Sequence, residues 1–154
     1  MAISRRRALA ALTAALVIPA ACNGDDASGY AERVNDVCTQ VERELGELET
    51  TRVETRRERA ALIDDVIAAA RQAVRRLEAI EPPGGDDGET AERFVRTLER
   101  EIEDEAVPAL EDLRDAVTRG DVVAADAAAA RLRGLERSDS ERYARELGAN
   151  ACAG

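Results

Sequence analysis

Apolar side chains return every third or fourth residue through most of this chain, the spacing that lines one face of a helix. The first run is Tyr30, Val34, Val37, Val41, Leu45 and Leu48, and the polar residues 49–52 end it. Thr51 with Glu54 three residues on has capping-box spacing, so a second helix is expected to start there. Its core side is Leu62, Ile63, Val66, Ile67, Ala70, Val74 and Leu77, and Pro82-Pro83-Gly84-Gly85 is the clearest loop in the chain. A third helix from near Glu89 presents Phe94, Leu98, Ile102, Ala106, Leu110, Leu113 and Val117. Pro108 lies inside it and lacks an N–H, which predicts a kink or a break; the apolar phase continues across it, which favours one kinked helix. Gly120 stops this helix and Asp121 is placed to cap a fourth. The fourth is lined by Val122, Ala125, Ala129, Leu132, Leu135, Tyr143 and Leu147, with weak points at Gly134 and residues 138–140, and Gly148 ends it.

Four helices with short connections predict an all-α fold, an antiparallel up-down-up-down four-helix bundle over residues 30–154. Its core has to be built from Leu, Ile, Val and Ala, because the only aromatics are Tyr30, Phe94 and Tyr143. The residues 124–130 are all Ala but for Asp126, which predicts close approach of backbones there and argues against a roomy cavity.

The chain before the first helix has a different character. Residues 1–21 divide into a basic start with Arg5, Arg6 and Arg7, an apolar stretch over 8–18, and the small residues Ala20 and Ala21 before Cys22. That is the three-part pattern of a secretory signal. This stretch of 11 residues falls short of the roughly 20 that a spanning helix needs. Residues 22–29 are polar and small and read as a flexible tether, reaching on the order of 15 Å.

Ala20, Ala21 and Cys22 resemble the lipobox of bacterial lipoproteins, with Pro19 where an aliphatic residue is usual. The resemblance implies that Cys22 is lipidated and becomes the N-terminus, anchoring the chain in the lipid bilayer on the extracytoplasmic face; plain secretion is the alternative address. The residues 4–9, Ser-Arg-Arg-Arg-Ala-Leu, also look like a twin-arginine export motif, beside the reading as an ordinary basic start. With Cys22 given over to the lipid, Cys38 and Cys152 remain as a pair in a compartment that permits a disulfide. In the expected bundle the start of the first helix and the end of the fourth lie together, so such a bridge is geometrically reasonable. The layout of signal, first-helix Cys, Pro-Pro loop and C-terminal Cys is similar to actinobacterial-type lipoproteins. That likeness speaks to export and fold and implies no activity.

The net charge of −10 deepens to −13 once Arg5, Arg6 and Arg7 are removed, leaving 19 of the 22 basic residues against 32 acidic ones. A domain so acidic is a poor partner for nucleic acid and is repelled by an anionic membrane surface. The chain has no His, which excludes Glu-x-x-His di-metal sites, His-dependent triads and ordinary zinc sites. No catalytic constellation and no cofactor are expected. The densest acidic cluster, around Glu101, Asp104 and Glu105 beside Pro108, is a weak candidate for a divalent cation, against a plain solvated helix face. Arg52, Arg56, Arg57, Arg59, Arg71, Arg75 and Arg76 make the second helix basic, for an anion or partner or simply to complement the acidic third helix. The expectation is a non-enzymatic, membrane-tethered module that meets another envelope protein. The alternative is a binder of a small apolar or cationic ligand, which a pocket lined by Phe94, Ile102 and Leu110 would favour.

Overall fold

The computed structural model describes residues 27–135 and 139–153, and all the regular structure among them is helical. The signal expected over 1–21 and the expected lipid attachment at Cys22 lie outside the described residues. Helix α1 (Ala27–Glu49) starts three residues before Tyr30, so Ala27, Ser28 and Gly29 are helix where tether was expected.

Helix α2 (Arg56–Glu78) does open on a capping box, but the pair is Thr55 and Glu58. The Thr55 hydroxyl accepts the Glu58 N–H at 3.2 Å, and the Glu58 carboxylate accepts those of Thr55 and Glu54 at 2.9 Å each. The expected cap, Thr51, is taken by the preceding helix: its hydroxyl and that of Thr50 donate to the Glu47 carbonyl at 3.2 and 2.9 Å, closing the last turn of α1.

Helix α3 (Gly85–Arg100) begins ahead of the expected Glu89. Gly85 has a φ of 69°, which a side chain would resist. A Cβ on Gly88 would fall on the Pro83 carbonyl oxygen, so the glycine lets the first turn wrap onto the Pro-Pro loop. Asp86 and Asp87 sit in that first turn, where the helix dipole favours acids.

The helical path then continues without a break through a π turn (Glu101–Ala106) into α4 (Val107–Arg119). The Val107 N–H reaches back five residues to the Ile102 carbonyl. Pro108 therefore falls in the first turn of α4, where its missing N–H costs little. The distortion expected at Pro108 is absorbed by widening the turn before it.

Gly120, with a φ of 72°, stops α4, and the Asp121 carboxylate caps α5 (Val122–Gly134) by accepting the Ala124 N–H at 3.0 Å. The expected fourth helix is not a single rod. It divides at the anticipated weak points into α5, which packs on α4, and α6 (Asp139–Glu146), which packs on α3. The lining expected for α5 is also corrected: Val122 is 70% exposed and Val123 81%, while Ala128 is fully buried. Gly148, at a φ of 75°, ends α6 and leads into a 3-10 turn (Asn150–Cys152) that lies on α1.

Two apolar clusters fill the interior where one core was expected. The first joins Tyr30 and Val34 of α1, Leu77 of α2, Phe94 of α3, and Ala144 and Leu147 at the C-terminal end. The second joins Ile63 and Ile67 of α2 to Val107, with Leu110, Leu113 and Val117 packed against it. Burying such side chains contributes about 1.5–3 kcal/mol each.

Candidate functional site

Cys38 lies three turns into α1, and the 3-10 turn brings Cys152 against it. The two sulfurs are at bonding distance, with 5.4 Å between the Cα atoms, across a sequence separation of 114. The pair expected from the cysteine count is thus placed to bridge the first helix to the C-terminal end. Asn35, one turn before Cys38, makes a second clasp: its amide donates to the Gly148 carbonyl at 3.3 Å and its oxygen accepts the Ala151 N–H at 2.8 Å. Beneath this clasp the Tyr30 ring is 1% exposed. Burial pushes its phenol above the usual 10.0, and the positive charge of Arg33 partly opposes that rise.

Next to the bridge the bundle does not close completely. A cleft of about 250 Å³ runs between α1, α2 and α3. The α1 wall is Val37, Val41 and Leu45, and the α2 wall is Ala70, Ala73 and Leu77. Phe94 and Leu98 of α3 and Ile102 of the π turn form the third wall, while Ala151 and Cys152 cover one end. The alanine run argued against a roomy internal cavity; this space is an open cleft, and no residue of 124–130 lines it. It arises because Ala70 and Ala73 are too short to fill the gap that the larger side chains opposite leave. Of the three residues expected to mark a ligand pocket, Phe94 and Ile102 line the cleft, and Leu110 belongs to the second cluster. Its single charged residue is Glu42, which is exposed on α1 and has no ion-pair partner among the described residues.

Of the other candidate residues, Glu101, Arg71 and Arg76 are spent on structure, while Arg56, Arg57, Arg59 and Arg75 are exposed. The Glu101 carboxylate turns away from Asp104 and Glu105 to the start of α6, accepting the N–H groups of Asp139 and Ser140 at 2.9 and 3.3 Å and the Ser140 hydroxyl at 2.6 Å. Asp104 and Glu105 are exposed, and no group of three or more His, Cys, Asp or Glu is placed to hold a metal ion among the described residues. Arg71 forks onto Glu103 of the π turn at 3.0–3.2 Å, as complementation of the acidic third helix predicts. Arg76 instead pairs with Glu44 of α1 at 3.0 Å. Arg114 reaches Asp64 at 3.0 Å and Arg131 reaches Asp112 at 2.6 Å, tying α4 to α2 and α5 to α4.

No helix among the described residues is long and apolar enough to cross a membrane. No known family, curated protein or solved structure matches the chain.

Proposed function

We propose that this chain is an extracytoplasmic lipoprotein, held on the membrane by a lipid on Cys22, whose helical domain is a non-enzymatic interaction module of the cell envelope. The observation that carries the reading is the accounting of cysteines. Cys38 and Cys152 stand at bonding distance, so Cys22 is the one left over, and it follows directly on Ala20 and Ala21 at the end of a signal-like segment. A disulfide suits an oxidising compartment, in keeping with export. Two acyl chains on one residue suffice for stable anchoring, whereas one is marginal.

The charge of the domain fits the same picture. At −13 after loss of the leader it has no attraction for an anionic bilayer, so the covalent lipid is the hold that keeps it there. Intact-mass analysis of the membrane fraction is expected to find a chain beginning at a diacylated Cys22, and Cys22→Ser is expected to move the domain into the soluble extracytoplasmic fraction. A membrane-bound Cys22→Ser protein, or three alkylatable thiols in protein taken from its native location without reductant, would overturn the proposal.

A further inference from the structure

We propose that the cleft between α1, α2 and α3 is a binding site for a small amphiphile with one apolar arm and a cationic end. Its walls are apolar but for Glu42, so water in the cleft finds few hydrogen-bond partners on the protein and an apolar group can displace it at little cost.

Size limits the ligand. Along α1 the cleft runs from Val37 to Leu45, roughly 12 Å at the helical rise. Its volume of about 250 Å³ lies below the roughly 300–1,000 Å³ of sites for drug-sized ligands. A single chain or ring fits, and a two-chain lipid does not.

Charge sets the polar end. No arginine lines the cleft. The acids nearby that could have been neutralised already are, Glu44 by Arg76 and Glu103 by Arg71, but Glu42 at the rim is left unpaired among the described residues. The neighbouring cleft that shares Leu98, Ile102 and Cys152 is lined by Glu101, Glu105, Asp139 and Glu141 beside Arg100; Arg142 pairs with Asp139 and Arg145 with Glu141, and Glu105 is exposed. A carboxylate or phosphate head would meet repulsion here, and an ammonium would meet Glu42. The inference does not depend on the lipid at Cys22.

The test uses the full oxidised chain carrying Cys22→Ser, so that neither lipid nor membrane is present, titrated calorimetrically with octylammonium, octan-1-ol and octanoate at neutral pH. Octylammonium is expected to bind roughly two- to fivefold more tightly than the alcohol, the range for an exposed charge pair, with octanoate weakest. Glu42→Gln is expected to bring octylammonium to the level of the alcohol without changing the alcohol itself. Ala70→Leu, which fills the cleft, is expected to abolish binding of all three. Should that variant fail to fold, slowed amide exchange at Val41 and Leu45 of the Glu42-bearing protein on adding octylammonium locates the site in its place. Octanoate binding as well as octylammonium, no binding of any probe, or a cation preference that survives Glu42→Gln would overturn the proposal.

Discussion

Glu101 connects two parts of the fold that the chain reaches far apart in sequence. A π turn carries one residue more than the equivalent α turn, about 100° of helical phase. Within that turn Glu101 faces the start of α6 while Glu103 faces Arg71 of α2. The Glu101 carboxylate accepts two N–H groups at the start of α6, together with the hydroxyl of Ser140, a residue that is 3% exposed. Glu101→Ala removes the acceptor these donors share and is expected to cost about 1–2 kcal/mol in urea denaturation, with faster amide exchange in α6. Glu58 shows the same logic with a pH signature. The N–H groups of Glu54 and Thr55, helped by the Thr55 hydroxyl, hold its carboxyl below the usual 4.5. Because the folded value lies below the unfolded one, the stabilisation is complete above about 4.5 and is lost as pH falls through the folded value. Melting followed from neutral pH downwards is therefore expected to show a shallower acid decline for Glu58→Gln than for the parent chain. An unchanged slope would mean that the cap contributes nothing.

At the scale of the helices, α5 shows what a nearly all-alanine segment hides. Periodicity picks out a face only where large and polar residues alternate in phase, and residues 124–130 contain one polar residue. The buried side is chosen instead by close approach to α4, where Ala109 and Ala116 at 3% and 0% exposure share the interior with Ala128 at 0%. Ala128→Leu is expected to destabilise by about 1–3 kcal/mol through overpacking, whereas Val122→Ala, on an exposed side chain, is expected to stay within about 0.5 kcal/mol. Equal effects in chemical denaturation would place the α5 contact on the wrong side. The helices rich in Leu, Ile and Val were legible from their spacing: Tyr30 and Val34, Ile63 and Ile67, and Leu77 and Phe94 all enter the interior. Gly120 and Asp121 were also legible, since a positive φ and an N-cap are local demands met by local residues. The start of α2 was not, because Thr51 and Thr55 offer the same local chemistry and only the last turn of α1 decides which is free. The cleft was not legible either, since it depends on which helices face Ala70 and Ala73, and spacing along one helix does not carry that.

Across the whole molecule, the question is what holds the C-terminal end in place. Residues 147–153 have little regular structure beyond one 3-10 turn, yet Ala149 and Leu147 are buried and the turn covers one end of the cleft. Two clasps on α1 hold them, the Asn35 amide and the Cys38–Cys152 pair. Linking residues 114 apart removes loop entropy from the unfolded chain worth roughly 5 kcal/mol, comparable to the whole stability of many domains, about 5–15 kcal/mol. The double variant Cys38→Ser, Cys152→Ser is therefore expected to lose about 2–5 kcal/mol, read by urea denaturation against the oxidised parent. The loss should not be uniform along the chain. The cluster of Ile63, Ile67 and Val107 is built without either cysteine, so its amides are expected to keep more of their exchange protection than those around Leu147 and Ala149. If both regions lose protection together, the bundle is one cooperative unit and the bridge stabilises all of it; if the C-terminal end alone opens, the bridge acts as a local latch on the end of the cleft.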